Sequence, residues 1–479
     1  MRSANEYIPT IGLEVHAQLL TKSKMFAPEA TSYGKAPNAQ VSAITLAHPG
    51  TMPMLNRKAI DSALKMGLAC HTSITRYNEF ARKNYFYPDL AKGYQITQDK
   101  TPLCTDGYVT IDTPLEKKIR IKRIHIEEDT AKSMHDMMPG YTLLDFNRAG
   151  CPLIEIVTEP DVSTQEEAYA FLAEIRRLVR YLEICNGNME EGSLRCDANI
   201  SVRKKGTEQL GQKVEVKNMN SMRHVQMAIA YEIKRQIKIL EEGGKILSST
   251  RSYHAEAGIT VHQRNKETMS EYRYFPEPDL SPLIVDKGWI QTIQENMPPL
   301  PRVLAKKFTT LYKLSTYDTN VLLEDKSIAL FFEQTCPHTT HYKAVANWMM
   351  GPIKSYLNQE KTTLALLPIT PIRLAKLVDM VATDQISFSV ASAKLFPLLF
   401  KHPTTDIYQI AQQEGLLQKE SSEELEAWIH TVLNKYPDKV EAYRKGKKGL
   451  IGFFMGEVMK LSKGQANPKQ ASLLLQKIL

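Results

Sequence analysis

Hydrophobic and polar positions alternate along two stretches of the amino-terminal part of the chain. Between Ile11 and Leu19 the apolar residues occupy every second position, and Glu14 and His16 lie among the polar positions between them. The same alternation recurs between Ser193 and Arg203, where Asp197 is one of the polar positions. Because successive side chains of a strand point to opposite faces, both stretches are predicted to be strands with one buried and one polar face.

Helical periodicity interrupts these alternating segments. One predicted helix begins near Ser163, which has the spacing of a capping box to Glu166, and another covers about 222 to 242. Short alternating segments between Gly, Pro and Asn turns otherwise extend to about residue 290, which is typical of an α+β domain built on an antiparallel sheet.

After the proline-rich run at 298–301 the apolar spacing becomes helical, and a further break follows near 402–412. We therefore predict an α+β chain with an amino-terminal sheet domain followed by helices. The predicted domains are residues 1–295, an all-α domain at 296–405 and a small helical tail at 406–479.

Composition narrows the class of protein. Of the 479 residues, 43% are hydrophobic and 24% are charged, which excludes an intrinsically disordered chain. The formal net charge of +8 suits a polyanionic partner such as RNA but is too small to demonstrate one. The six cysteines form no C-x-x-C pair, so a zinc ribbon or dithiol redox site lacks its usual signature. Without an apolar signal core or a run long enough to span a bilayer, a cytoplasmic protein with no membrane partner is expected.

Acidic and imidazole side chains supply the first candidate site. Glu14 and His16 share one face of a predicted strand, and the run Glu127–Asp129 adds carboxylates suited to Mg²⁺. Glu155 stands on an otherwise apolar strand, where a carboxylate must be paired, metal-bound or at a strand end. The competing interpretation is an ordinary solvated sheet face with structural pairing of Glu155.

Two further segments carry cations. Residues 82–95 combine lysines, amides and aromatic rings that could clamp phosphate and stack a base, although the segment alone favours an ordered turn with tyrosines packed on the core. The basic turn at 444–449 suits a phosphate backbone, but most such runs are solvated loops.

Together these segments resemble the GatB/GatE family of tRNA-dependent amidotransferase subunits over essentially the whole chain. The matching motifs are IGLEVHAQL (11–19), KNYFYPDLAKGYQITQ (83–98), RIHIEED (123–129), NRAGCPLIEIVTEPD (147–161), MEEGSLRCDANISVR (189–203), KNMNS (217–221), YRYFPEPDL (272–280), GLIGFFMGEVMK (449–460) and GQANPK (464–469).

The resemblance implies a cradle-shaped catalytic domain, a helical domain and a tail that binds tRNA. It implies that ATP phosphorylates the side-chain carboxylate of glutamate or aspartate misattached to tRNA(Gln) or tRNA(Asn), and that ammonia then displaces the phosphate. Its implied cofactors are ATP and Mg²⁺. Its implied partners are an A subunit that produces ammonia from glutamine and a small C subunit, in a heterotrimer.

The resemblance also assigns roles to individual positions. The implied metal ligands are His16, Glu127, Glu128 and Glu155. The implied catalytic residues are Lys83, Glu14 and Asp197, and the implied nucleotide-binding residues are Lys83, Glu128 and Lys132.

One departure from the family pattern is Thr130-Ala131, between the acidic run and Lys132, which could alter the local turn. Two other functions remain open: a non-catalytic tRNA-binding scaffold, and a free-standing carboxylate–amine ligase acting on a small metabolite. The acidic cluster together with Lys83 and Asp197 counts against the scaffold, and an assay for dependence on mischarged tRNA would decide whether the chain is the free-standing ligase.

Overall fold

The computed structural model describes residues 6–265, 272–418, 422–462 and 464–479. Residues 1–5, where no signal core is expected, lie outside this description. The chain divides into two compact units, Met1–Leu300 and Pro301–Leu479. Strands and helices mix in the first unit and helices fill the second, so the predicted α+β class is confirmed.

The first unit contains sixteen strands in the described residues. They are β1 (Tyr7–Gln18), β2 (Ser73–Ile74), β3 (Tyr77–Asn78), β4 (Ala81–Asn84), β5 (Tyr94–Thr97), β6 (Cys104–Asp112), β7 (Glu116–Glu128), β8 (Lys132–Met138), β9 (Tyr141–Asp145), β10 (Pro152–Thr158), β11 (Leu194–Lys204), β12 (Val214–Lys217), β13 (Ser249–His254), β14 (Ile259–Asn265), β15 (Phe275–Pro276) and β16 (Leu283–Ile284).

Nine of these strands form one sheet in the order β14-β13-β12-β11-β1-β10-β7-β6-β2. Only the β12–β13 pair of this sheet is parallel. Smaller sheets have the orders β15-β4-β5, β16-β3 and β8-β9. The central strand β1 therefore has β10 and β11 as its neighbours, which brings segments separated by more than a hundred residues side by side.

The two predicted alternating strands are confirmed. In β1 the apolar positions from Ile11 to Ala17 are fully buried, whereas Glu14 and His16 on the other face are only partly buried. In β11 the apolar positions are again buried, and Ser201 is a polar position that is buried with them. One sheet face thus joins the hydrophobic core and leaves the polar face free to form a site.

Helices α1 (Arg57–Ala69), α2 (Gln165–Tyr181), α3 (Met222–Glu241) and α4 (Lys287–Glu295) contribute to the core on the apolar side of the sheet. The predicted start of α2 is one residue too early. Thr164 is its N-cap and accepts from the Glu167 amide, while the Ser163 amide donates to the Glu167 carboxylate at 2.7 Å. The N-cap is thus Thr164, and Glu167 in the first turn of α2 accepts the hydrogen bond from the Ser163 amide.

The second unit is helical throughout its described part. Its helices are α5 (Pro301–Thr310), α6 (Thr316–Leu322), α7 (Lys326–Thr335), α8 (Tyr342–Trp348), α9 (Lys354–Gln359), α10 (Pro371–Ala382), α11 (Phe388–Val390), α12 (Phe396–Lys401), α13 (Ile407–Gln413), α14 (Ser422–Lys435), α15 (Pro437–Arg444), α16 (Leu450–Leu461) and α17 (Pro468–Ile478). The last four of these helices share a core of their own.

A division into a helical domain and a tail at 405/406 stays a prediction. The predicted basic turn connects α15 to α16 and is exposed. Among the described residues, no helix combines the length and apolar character needed to cross a bilayer.

Candidate active site

A histidine between two carboxylates lies at the centre of the polar sheet face. Cross-strand register pairs His16 of β1 with Glu155 of β10, and Glu155 with His125 of β7. The His16 Nε2 atom lies 3.2 Å from a Glu155 oxygen and 3.6 Å from a Glu127 oxygen. We refer to His16, Glu127 and Glu155 as the metal group.

His125 completes this arrangement from the neighbouring strand. Its Nε2 atom lies 3.5 Å from Glu155 and 3.8 Å from Glu127. Glu127 follows two positions later on the same strand face, where the hydroxyl of Thr97 approaches it at 3.5 Å. Both His125 and Glu127 are almost completely buried. Sequence inspection did not single out His125, although it shares the alternation of Glu127.

The electrostatics of the group follow from close packing of opposite charges. Burial lowers the pKa of His16, but Glu155 and Glu127 outweigh it and raise that pKa to about 9. Burial raises the pKa of Glu155, yet His125 and His16 together hold it well below its usual value. Burial acts on the pKa of Glu127 in the same direction, but His125 and His16 outweigh it and leave that pKa lowered. The carboxylates of Glu155 and Glu127 are therefore ionised, and a positive charge between them is stabilising.

Lys83 supplies a further cation from β4. Burial lowers its pKa, but the attraction of Glu127, Tyr274 and Glu155 overcomes this and leaves the pKa raised. Its ammonium lies 5.0 Å from the ring centre of Tyr272. Lys83 is thus a fixed positive charge at the edge of the metal group.

A second acidic group, formed by Glu14, Asp197 and Glu215, lies beside the metal group. Glu14 pairs in register with Asp197 of β11, and Glu215 of β12 joins them; ligand oxygens of the three lie within 4.8 Å of one another. The Lys217 ammonium lies 2.6 Å from Asp197 and 3.3 Å from Glu215. Burial and the three carboxylates Glu155, Glu215 and Asp197 raise the pKa of Glu14.

Arg195 connects the face to the end of β7. It is the register partner of His16, and its guanidinium lies 2.8 Å from the Asp129 carboxylate. Arg148 reaches the same carboxylate at 3.5 Å. Lys217 and Arg195 were not singled out from sequence; both occupy polar positions in matching motifs, but nothing local reveals their carboxylate partners.

The structure does not bring Glu128 to the metal group. By alternation Glu128 belongs to the face of Ile124 and Ile126, and its carboxylate pairs with Lys92 and accepts from the Ile96 amide at 2.9 Å. Lys132 is likewise apart, with an exposed side chain at the start of β8. Alternation along β7 separates Glu128, whereas Lys132 is separated because the strand ends at Glu128 and the chain then turns away.

That turn contains Thr130 and Ala131, the pair noted above as a departure from the expected family pattern. The Thr130 amide donates to Asp129 Oδ1 at 2.9 Å, and the Ala131 amide donates to the Asp89 carbonyl at 2.9 Å. Arg148 donates to both the Thr130 and Ala131 carbonyls. The turn is therefore tied down on both sides and leaves Glu127 in place.

The residues present fit a divalent cation. Ligand atoms of His16, Glu127 and Glu155 lie within 4.8 Å of one another, and carboxylate with imidazole is a donor set for hard to borderline ions. Buried polar atoms without a hydrogen-bond partner in the described structure surround the face, including His125 Nδ1, Arg195 Nε and Asn199 Oδ1. Burying a polar atom without a hydrogen bond costs free energy, so these atoms indicate a surface suited to binding a polar ligand.

Comparisons with known proteins agree along the length of the chain. A family model described as the GatB/GatE catalytic domain matches residues 9–291, and one described as the GatB domain matches residues 330–479. Relatives named as the B subunit of an aspartyl/glutamyl-tRNA(Asn/Gln) amidotransferase include those of Thermodesulfovibrio yellowstonii, at 46% identity over 99% of both chains, and Caldanaerobacter subterraneus, at 45% over 99% of both. The relative from Nitrosococcus oceani is 44% identical over 99% of this chain and 100% of its own.

Proposed function

The chain belongs to the GatB/GatE family, and from this premise we propose that it is the B subunit of a tRNA-dependent amidotransferase. The reaction converts glutamate or aspartate misattached to tRNA(Gln) or tRNA(Asn) into the corresponding amide. It requires ATP, because a carboxylate is a poor acyl donor until its oxygen has been phosphorylated.

One observation carries the proposal: the ionised carboxylates of Glu127 and Glu155 lie 3.6 and 3.2 Å from His16 Nε2, with the cation Lys83 at their edge. Phosphoryl transfer is catalysed mainly by positioning and by charge neutralisation. A solvated sheet face would not need to bury Glu127 or to bring two carboxylates, a histidine and a lysine together. The arrangement therefore favours an ATP-dependent site over a surface with structural pairing alone.

His16, Glu127 and Glu155 are the residues that would hold Mg²⁺. When bound, the ion would supply positive charge to the phosphate oxygens of ATP. Lys83 stabilises negative charge on the group being transferred, because its ammonium remains protonated beside the carboxylates. Glu128 is omitted from this ligand set, since its carboxylate is engaged by Lys92. For Lys132, a nucleotide contact stays a prediction.

The second acidic group suits the second step of the reaction, in which ammonia displaces the phosphate. The Lys217 ammonium lies 2.6 Å from Asp197, and the side-chain amide of Asn199 donates a hydrogen bond to Glu14 at 2.8 Å. Carboxylates fixed in this way orient an entering amine and accept its proton. Burial and the neighbouring carboxylates raise the pKa of Glu14, which makes it a stronger proton acceptor than an ordinary glutamate.

Ammonia has to reach this site from elsewhere. The chain carries no Cys-His glutaminase motif, and its cysteines are all buried, with burial raising the pKa of Cys151 to about 12. A thiol in that state is a poor nucleophile. An A subunit that hydrolyses glutamine and a small C subunit are accordingly proposed as partners, together with the mischarged tRNA.

The test is transamidation of Glu-tRNA(Gln) and Asp-tRNA(Asn) by this chain co-expressed with its A and C partners, supplied with glutamine, ATP and Mg²⁺. Amide should form on the tRNA, and Glu127→Gln should abolish it. Glu256→Gln is the matched control, because Glu256 is exposed in the turn between β13 and β14.

Two other results of this experiment would support one of the alternative functions instead. Binding of tRNA without amide formation in the unmodified complex would establish the scaffold alternative. Amidation of a free amino acid or other small carboxylate in the absence of tRNA would establish the free-standing ligase.

A further inference from the structure

Arg195 reaches across the polar face of the sheet. It lies on β11 opposite His16 of β1, so its side chain leaves the sheet on the same face as the metal group. Its guanidinium lies 2.8 Å from the carboxylate of Asp129, which follows Glu127 by two positions. Because β1 and β10 lie between β11 and β7 in the sheet, this contact carries the guanidinium over the polar face.

Both acidic groups act on the charge of Arg195. Burial lowers the pKa of Arg195, but Asp129, Glu127 and Asp197 outweigh it and leave that pKa raised. Glu127 belongs to the metal group and Asp197 to the second acidic group. The guanidinium is therefore within electrostatic reach of both groups, and it stays charged at every pH at which the protein would work.

Asp129 holds the guanidinium without neutralising the region. The other oxygen of its carboxylate accepts a hydrogen bond from the Thr130 amide at 2.9 Å, which fixes its orientation. Arg148 approaches the same carboxylate at 3.5 Å. Since two guanidinium groups share one carboxylate, a net positive charge remains at this end of the face.

The Arg195 side chain keeps donors available for a ligand. Its Nη2 atom donates to Asp129, whereas its Nε atom is buried and has no partner among the described residues. The side chain is nevertheless 34% exposed, so a ligand can reach it from solvent. A guanidinium presents its N–H donors in a planar fork that matches the two oxygens of a carboxylate. The remaining donors thus suit an anionic group of that shape.

The proposed reaction needs such a cation between the two acidic groups. The substrate carboxylate is phosphorylated beside the metal group and then meets ammonia beside the second acidic group, and the carboxylates of both groups repel it. Lys83 lies at the edge of the metal group, and Lys217 is engaged by carboxylates of the second group. Arg195 is the cation that both groups share.

We propose that Arg195 binds the side-chain carboxylate of the misattached glutamate or aspartate and so distinguishes the acid substrate from the amide product. This inference rests on the proposed function. A hydrogen bond from a guanidinium to a carboxylate is stronger than one to a neutral amide. Arg195 therefore favours binding of the mischarged tRNA and release of the amidated one.

The test compares Glu-tRNA(Gln) with Gln-tRNA(Gln), which differ only in a carboxylate and an amide. Filter binding of both labelled tRNAs to the assembled complex is measured with Mg²⁺ but without ATP or glutamine, so that no turnover occurs. Arg195→Gln should lower the ratio of the two affinities, acid over amide, about tenfold. Arg180→Gln is the control and should leave the ratio unchanged, because Arg180 is an exposed residue of α2, on the apolar side of the sheet.

A purely structural role predicts a different result. If Arg195 only held Asp129 in place, Arg195→Gln would weaken binding of both tRNAs equally, and that unchanged ratio would overturn the inference. Should Arg195→Gln fail to assemble with its partners, Arg195→Lys takes its place. It keeps the charge but loses the planar fork, so the ratio should still fall, and an unchanged ratio would again overturn the inference.

Transamidation by the unmodified complex tests the proposed function separately. If that complex makes no amide, the proposed function fails, whatever the ratio of affinities. If it makes amide but the ratio does not respond to Arg195, only the role of Arg195 is lost.

Discussion

The Nε2 atom of His16 lies 3.2 Å from the Glu155 carboxylate because the two residues face each other across neighbouring antiparallel strands. A second carboxylate, from Glu127, lies 3.6 Å from the same nitrogen. A proton on His16 thus occupies the position where a divalent cation would neutralise the same two carboxylates. Protonation of His16 and binding of a divalent cation are therefore alternatives at this site.

Replacing Glu155 with glutamine should weaken divalent-cation binding, because one of three ligands loses its charge. We expect the affinity for Mn²⁺, a spectroscopic substitute for Mg²⁺, to fall about tenfold or more, as measured by the electron paramagnetic resonance signal of free Mn²⁺. Amide formation should fall with it. An unchanged Mn²⁺ affinity, with Glu256→Gln as the reference for an exposed carboxylate, would remove Glu155 from the ligand set.

Local patterns in the sequence were enough to predict the strands that carry this site. Alternation identified β1 and β11, and with them the shared face of Glu14 and His16. Alternation depends only on neighbours in the chain, so it can be read without knowing the fold. The same reasoning separates Glu127 from Glu128, since adjacent residues point to opposite faces, but the family resemblance grouped both as ligands.

Pairings between distant strands could not be predicted. Nothing near Glu155 indicates that it lies opposite His16, because strand order depends on the packing of the whole sheet. Lys217 was overlooked for the same reason, since its partner Asp197 is twenty residues away on another strand. The resemblance supplied part of this information, but it did not identify the cations that hold the carboxylates.

The sequence predicted that Ser163 caps α2, whereas the structure has Thr164 as the N-cap, and mutation can test this difference. Thr164→Ala removes the hydroxyl that caps the helix and should lower the free energy of unfolding by about 1 kcal/mol. Ser163→Ala should change it by less than about 0.5 kcal/mol, because the Ser163 backbone rather than its side chain bonds to Glu167. Urea unfolding of both variants measures the difference. If Ser163→Ala lowered the free energy of unfolding more than Thr164→Ala does, Ser163 and not Thr164 would be the N-cap.

Lys83→Met should reduce the rate of amide formation more than it affects substrate binding. Removing a charge that acts on the transferring group should lower kcat about a hundredfold, with a KM for aminoacyl-tRNA within about threefold of the original. Lys83→Arg should recover only part of the loss, because the planar guanidinium differs in size and donor geometry. Steady-state kinetics check both variants, and Lys100→Met controls for loss of an exposed lysine. A rise in KM with unchanged kcat would make Lys83 a binding residue only.

Lys217→Met should destabilise the fold, because Asp197 and Glu215 lose the cation between them. Since the Lys217 side chain is about one-third exposed, solvent screening reduces the expected loss to about 2 kcal/mol at pH 7. Lys213→Met, an exposed position just before β12, should have little effect.

The loss caused by Lys217→Met should depend on pH in one direction. Burial and three carboxylates raise the pKa of Glu14, and Lys217 opposes them, so removing Lys217 raises that pKa further. A carboxyl group whose folded pKa exceeds its unfolded value lowers stability above the unfolded pKa, and this penalty disappears when acid protonates the group in both states. The difference in unfolding free energy between the original protein and Lys217→Met should therefore shrink as the pH falls from 7 towards 4.5, the ordinary value for glutamate. Urea unfolding across that range measures it, and a difference that stays constant or grows on acidification would show that Lys217 does not act through the charge of these carboxylates.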